Sequence, residues 1–260
     1  MFVWHMSGAG NDFMVMDARG RSFDFESLSK KLCALTGADG FMAVDYSQDA
    51  DFTLHFYNSD GSRGEMCGNG SRCICRFAYD NGIAGETMTV HTDAGLVPGW
   101  RLSESQFRVR LNNPGILDLR RRPDADYVEL GNPGVPHGVV YLKDLTFDMR
   151  EDLRERAKAL RYDPAFPKGA NINFYTWLGD TTVRVLTYER GVEDYTLACG
   201  TGCGSTASVL SALGQLPGGK LTCQVPGGTL AVTVGTQGDT IREIYLEGPA
   251  EIVKIYDLEL

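Results

Sequence analysis

Two stretches of the chain carry the residue types best suited to chemistry. One is Met66–Arg76, M-C-G-N-G-S-R-C-I-C-R, and the other is Ala198–Ser205, A-C-G-T-G-C-G-S. Each places a cysteine, Cys67 or Cys199, immediately before Gly-x-Gly, with a helical pattern following. A thiol at that position lies beside the outward-turned backbone N–H groups and the positive end of a helix dipole. That setting favours thiolate and lowers a thiol pKa from about 8.5. The glycines let backbone donors approach an anionic group closely. One such thiol makes a nucleophile; two of them, facing each other across a cleft, make a matched base and acid. Such a pair inverts a stereocentre bearing an acidic C–H. A thiolate removes the proton from one face, a thiol returns one to the other, and the roles are swapped after turnover. The two helix starts stabilise the carboxylate as it takes on enolate charge.

Other chemistries fit these residues poorly. Six cysteines fall into two groups, Cys67, Cys73, Cys75 and Cys199, Cys203, Cys223, but their spacings contain no C-x-x-C. A zinc, iron–sulfur or dithiol redox site would also leave the glycines unexplained. Gly8-Ala9-Gly10 suggests a dinucleotide loop, yet Phe13 stands where the third glycine belongs and the motif precedes a strand. No Walker lysine follows any glycine loop. Cys33, Cys73, Cys75, Cys203 and Cys223 read as small buried residues.

The elements that must position the two thiols are short and β-rich. Asp12–Asp17 and Asp51–Tyr57 read as strands, and Phe25–Thr36 as a helix stopped by Gly37. Asn69–Asn81 and Cys203–Leu213 read as helices closed by Gly82 and Gly214, and Phe147–Leu160 as a charged amphipathic helix. Cys67 and Cys199 are 132 residues apart, and so are Gly82 and Gly214. A β-rich run precedes each cysteine, and an extended segment with a Gly turn follows each helix. The order of features predicts an internal duplication into two α/β halves, divided near Asn112–Asp126, where Asn, Pro, Gly and Arg concentrate.

Composition narrows the class. A chain of 260 residues favours two domains. A net charge of −9 argues against a nucleic-acid partner, and Arg120-Arg121-Arg122 before Pro123 reads as a solvated turn. No apolar run approaches the roughly 18 residues of a membrane helix, and the first residues lack the pattern of a signal peptide. A cytoplasmic protein is expected, with its seven cysteines mostly reduced.

Longer motifs carry a family resemblance. S-G-A-G-N-D-F, N-S-D-G-S-R-G-E-M-C-G-N-G-S-R-C, G-V-P-H, G-A-N-I-N-F, Y-E-R-G-V-E-D-Y-T-L-A-C-G-T-G and the closing E-G-P-A-E-I-V together resemble diaminopimelate epimerase. The resemblance implies an α+β fold of two pseudosymmetric domains, each a curved, mostly antiparallel sheet wrapped around a central helix. It divides the chain into residues 1–117, joined by a returning C-terminal strand at 250–260, and residues 118–249. It implies conversion of LL-2,6-diaminopimelate to the meso form, in lysine and peptidoglycan synthesis, without a cofactor or metal. A homodimer is the family's habit.

By the same resemblance Cys67 and Cys199 match the catalytic cysteines. Gly68, Asn69, Gly200 and Thr201 match the amides that hold the reacting carboxylate. Asn11, Asn58 and Asn171 match substrate-binding asparagines, Glu189 and Arg190 an acidic–basic pair, and His137 and Glu189 residues that tune the thiols. Three positions depart from the common pattern: His5 stands for a lysine, Gly40 for a glutamine of some members, and Val135 for an asparagine that contacts substrate. Val135 keeps open a racemase of another amino acid, histidine among them. The opposing class is a non-catalytic or metal-binding protein on a related scaffold, which predicts bound metal and no α-proton exchange.

Overall fold

The computed structural model describes residues 1–64 and 67–259. In chain order the elements begin with β1 (Phe2–Gly8), β2 (Asn11–Asp17), α1 (Phe25–Thr36), β3 (Gly40–Asp45), β4 (Phe52–Asn58) and α2 (Gly68–Asp80). They continue with β5 (Thr87–Thr92), β6 (Gly95–Arg101), β7 (Gln106–Leu111), β8 (Pro114–Arg122), β9 (Ala125–Gly131) and β10 (Gly134–Tyr141). After a 3₁₀ turn at Phe147–Met149 come α3 (Arg150–Arg161), β11 (Asn171–Gly179), β12 (Thr182–Glu189), β13 (Asp194–Tyr195) and α4 (Gly200–Ala212). The last are β14 (Lys220–Val225), β15 (Gly228–Gln237), β16 (Thr240–Pro249) and β17 (Glu251–Asp257). The chain forms two compact units, Met1–Arg110 with Glu247–Leu260, and Leu111–Leu246.

In the first unit β17 pairs antiparallel with β1, and β1 antiparallel with β2. Next come β2–β3 parallel, β3–β4 antiparallel, β4–β5 parallel and β5–β6 antiparallel. The second unit, starting from β8, repeats this succession. Its pairs β8–β9 and β9–β10 are antiparallel, β10–β11 parallel, β11–β12 antiparallel, β12–β14 parallel and β14–β15 antiparallel. Parallel neighbours need a crossover, and a helix supplies each one: α1 and α2 in the first unit, α3 and α4 in the second.

The two helices of each unit occupy opposite sides of its strands, and the period of two along a strand assigns the side chains. Met14, Met16, Phe41 and Ala43 pack with Leu32 of α1, while Phe13 and Met42 lie against the start of α2 at Gly70. Ile172, Phe174, Leu186 and Tyr188 pack with Leu153, Ala157 and Leu160 of α3. Asn173 and Thr187, one residue out of phase, lie against the start of α4 at Gly202. Strands buried on both faces therefore read as continuous apolar runs interrupted by a few polar residues. Both α2 and α4 are buried on nearly every face, the position of a central helix surrounded by strands.

Local chemistry sets the ends of these elements. Asp24 caps α1 by accepting from the Ser27 N–H, and Gly37 at φ 75° closes it. Ala9 and Gly10, at φ 58° and 87°, make the tight turn between β1 and β2 and start β2 at Asn11. Two readings need correction. The run Arg120-Arg121-Arg122 is not a turn: it ends strand β8, Pro114–Arg122, paired to β9, and only Pro123 and Asp124 turn. Arg120 takes φ 57°, and its N–H is held by the Asp126 carboxylate; Arg122 is bound to Asp124 and Asp163 rather than left to solvent. The amphipathic helix read at 147–160 is a 3₁₀ turn followed by α3.

Candidate active site

Cys67 caps α2 and Cys199 caps α4, each from an extended backbone. The Cys67 thiol accepts from the Gly70 N–H at 3.5 Å, and the Cys199 thiol from the Gly202 N–H at 3.3 Å. The side chain thereby serves one of the first-turn donors that every helix start must satisfy. Cysteine is not a usual capping residue, and the same unusual cap occurs on the second crossover helix of both units. Each helix runs for 13 residues, and Gly82 and Gly214, at φ 64° and 68°, follow each.

In the first unit Asn69 is buried and donates to the Asn11 carboxamide at 2.7 Å. Asn11 in turn donates to Asp39 at 3.3 Å. This joins the β1–β2 turn to the first residues of α2. Asn58, at the exposed end of β4, donates to Ser62 Oγ at 2.9 Å and lies opposite Gly40 in the sheet. Gly40 has no room for a side chain, since a Cβ there would lie 2.7 Å from the Phe56 ring and 2.9 Å from the Tyr57 carbonyl. Steric crowding accounts for glycine at that position. His5, buried in β1, is 3.0 Å from the Asp12 carboxylate.

In the second unit the residues expected at the site gather on the α4 side of β10, β11 and β12. His137 lies beside Asn171 in register, and Asn173 opposite Thr187. The Asn171 carboxamide accepts the Arg190 N–H at 2.7 Å. The exposed Arg190 guanidinium donates to the Lys168 carbonyl at 3.2 Å. Gly200 and Thr201 form the first turn of α4, with Thr201 Oγ1 at 3.5 Å from the Cys199 sulfur. Val135 is half-buried in β10, opposite Leu130.

The helix start was expected to favour a Cys199 thiolate, but burial pushes this thiol well above its ordinary range and the Glu189 charge adds to the rise. The Thr201 hydroxyl and the Gly202 N–H oppose the shift without reversing it. With Cys199 only 7% exposed, loss of solvation outweighs the partial charge of a helix end. His137 is pushed down to about 3 by burial and is therefore neutral at physiological pH.

A network that the sequence did not reveal joins these residues. Asn173 Nδ2 is 3.1 Å from His137 Nδ1 and donates to the Gly138 carbonyl at 3.0 Å. Its Oδ1 accepts from Thr187 Oγ1 at 3.0 Å. A Cβ on Gly202 would lie 2.2 Å from Asn173 Oδ1, so the start of α4 rests directly on this carboxamide. The available signal was the alternation N-I-N, which puts Asn171 and Asn173 on one face. A cavity of about 570 Å³ in the same unit, lined by Arg120, Arg122, Tyr141, Tyr175 and Trp177, includes none of the residues above. Among the described residues no group of three or more His, Cys, Asp or Glu could hold a metal ion. No helix among them is long and apolar enough to cross a membrane.

The buried thiols predict an alkaline limit to stability. Burial pushes Cys33 up to about 11 and Cys73 and Cys75 up to about 12. Above about pH 8.5 the unfolded chain releases protons that the folded chain keeps, so stability falls as pH rises toward 12 and is intact below that window. The urea midpoint should be lower at pH 10 than at pH 7.5. An unchanged midpoint would contradict the burial of these thiols.

The diaminopimelate epimerase family model matches residues 3–112 and 130–253. The chain belongs to the diaminopimelate epimerase family. Diaminopimelate epimerase of Flavobacterium psychrophilum is 34% identical over 259 residues, covering 97% of this chain and 98% of that one. The Aquifex aeolicus enzyme of the same name is 34% identical, covering 99% and 96%. Among solved structures, a PhzF-family phenazine biosynthesis protein of Bacillus anthracis shares the fold with a TM-score of 0.77 at 15% identity, covering 100% and 99%. A probable proline racemase of Agrobacterium radiobacter does so with a TM-score of 0.70 at 16%, covering 100% and 93%. The chain is an isomerase acting on an amino acid. The family match leaves out residues 113–129, the stretch that contains β8 and most of β9.

Proposed function

We propose that the protein epimerises LL-2,6-diaminopimelate to the meso form with two thiols and no cofactor, Cys67 and Cys199 each serving one face of the α-carbon. The observation that carries this reading is the repeated one. Two units with the same succession of strand pairings each cap their second crossover helix with a cysteine. A two-base inversion needs one proton carrier per face, and each unit supplies one. The two cysteines exchange roles between the forward and reverse directions, and in one of these Cys67 is the base and Cys199 the acid. The Cys67 thiolate takes the α-proton, and the electron pair passes into the carboxylate as enolate. The Cys199 thiol then protonates the opposite face and is left as thiolate. The first-turn N–H groups of Gly68, Asn69, Gly200 and Thr201 would hold the carboxylate as its charge grows. The two halves would descend from one duplicated ancestor. A cytoplasmic homodimer is the assembly consistent with this reading.

Diaminopimelate has a second amino-acid end, and Arg190 with Asn11, Asn58 and Asn171 would bind it. An imidazole substrate would leave Arg190 facing a group with no negative charge. Arg190→Ala should lower kcat/KM for diaminopimelate about 30-fold or more, the low end of removing one partner of a charge pair. The test is a comparison of kcat/KM for LL-diaminopimelate, L-histidine, L-lysine and L-glutamate. A higher value for any of the last three would overturn the substrate and leave the two-thiol chemistry standing.

A further inference from the structure

Four polar side chains at least nine-tenths buried lie on the α4 side of β10, β11 and β12, His137, Asn171, Asn173 and Thr187, and hydrogen bonds join three of them, His137, Asn173 and Thr187. Gly138, the neighbour of His137, faces Ile172 and Phe166 instead, on the α3 side, so His137 and Asn173 share the α4 side. The protonation of the trio follows from its geometry. The Gly138 carbonyl can only accept, which fixes the NH₂ side of the Asn173 carboxamide toward it. The Thr187 hydroxyl donates to the other side. The NH₂ group therefore also faces His137 Nδ1, which must be the acceptor. The imidazole proton of the neutral ring is then on Nε2.

A polar trio placed only to satisfy itself would leave no donor over. This one does: His137 Nε2 is buried and has no partner among the described residues. A buried donor left without a partner is costly unless something arrives to accept from it. Asn173 also touches the helix that carries the thiol. Its Oδ1 occupies the space a Cβ of Gly202 would need, and the Gly202 N–H holds the Cys199 sulfur.

We propose that Asn173 is a positioning residue for the reaction. It fixes His137 as the Nε2–H tautomer, a directed donor to an anionic acceptor, and seats the first turn of α4 that Cys199 caps. This rests on the two-thiol reading above and goes beyond it. His137 in this state takes no proton from a thiol; it tunes by donating. The acceptor is an anion, either a cysteine thiolate or the substrate carboxylate.

The tautomer is measured without substrate, by ¹⁵N NMR of histidine-labelled protein. In the wild type His137 should carry its proton on Nε2. Asn173→Asp keeps the shape but offers only acceptors, so the proton should move to Nδ1 and kcat/KM should fall by about 10²–10⁴, the usual range for a misplaced acid–base group. Where Asn173→Asp does not fold, Asn173→Ala removes the carboxamide that fixes the ring. It should mix the two tautomers with a loss of about tenfold. A fall in kcat with an altered pH profile assigns the donation to a thiolate; a rise in KM at unchanged kcat assigns it to the substrate carboxylate. A wild-type proton on Nδ1 would overturn the proposal. So would a folded Asn173→Asp protein with the exchanged tautomer and activity within several-fold, or one that loses activity with the tautomer unmoved. A wild-type protein that exchanges no amino-acid α-proton fails the two-thiol reading instead, and that assay precedes the variants.

Discussion

Cys199→Ala should lower the rate of inversion by at least about 10²–10⁴ in both directions, and Cys67→Ala should do the same. The losses are equal in kind because each variant removes the proton carrier of one face, and inversion needs both. They differ in what survives. A protein retaining only Cys67 can still remove and return a proton on its own face. It should therefore exchange the α-proton of one stereoisomer without inverting it, and Cys199→Ala and Cys67→Ala should retain opposite stereoisomers. Cys73 and Cys223 are fully buried and are no part of the reading, so Cys73→Ala or Cys223→Ala should leave turnover within several-fold. Chiral chromatography of reactions in D₂O checks all four. Near-normal inversion by Cys199→Ala would remove the two-base mechanism.

Gly202→Ala should be damaging to both stability and turnover, whereas its counterpart Gly70→Ala should be mild. The added Cβ at Gly202 would lie 2.2 Å from Asn173 Oδ1 and 3.1 Å from Thr187 Oγ1. Either the first turn of α4 shifts or the Asn173 carboxamide leaves His137, and both outcomes disturb Cys199. Overpacking of this kind costs about 1–3 kcal/mol, and kcat should fall about 10²-fold or more through the displaced thiol. At Gly70 the nearest atoms are the Met42 sulfur at 3.2 Å and Cys67 Cβ at 3.5 Å. A flexible thioether can yield there, so stability should change by less than about 1 kcal/mol and turnover by only several-fold. Urea unfolding and kcat for the two variants provide the comparison, and equal damage at both positions would contradict it.

The residues visible in the sequence were those whose role is local. Gly37 closes α1 as its type requires, and Gly82 and Gly214 mark the ends of α2 and α4. The cysteines stood out because they repeat with constant spacing. What escaped notice depends on neighbours distant along the chain. Helix α4 starts at Gly200, not at Cys203, since Gly-Thr-Gly has poor helical propensity and is helical here through burial. Strand β8 was hidden under Asn, Pro, Gly and Arg because its stability comes from pairing with β9. The pairing of His137 with Asn173 spans 36 residues, and nothing local predicts which nitrogen carries the proton. Burial also opposes the Cys199 thiolate that the helix start favours. A helix start can be read from sequence, but the degree of burial that overrides it cannot.

The central claim is that two thiols, one on each face, exchange and invert the α-carbon of diaminopimelate. Its most direct test is the reaction of LL-diaminopimelate in D₂O, stopped at low conversion and analysed by mass spectrometry after separation of stereoisomers. The two-thiol reading predicts meso product carrying one deuterium and recovered LL substrate carrying almost none, because the proton returned comes from the opposite carrier. Recovered substrate deuterated as fast as product forms, or product that retains the substrate's own proton, would contradict it.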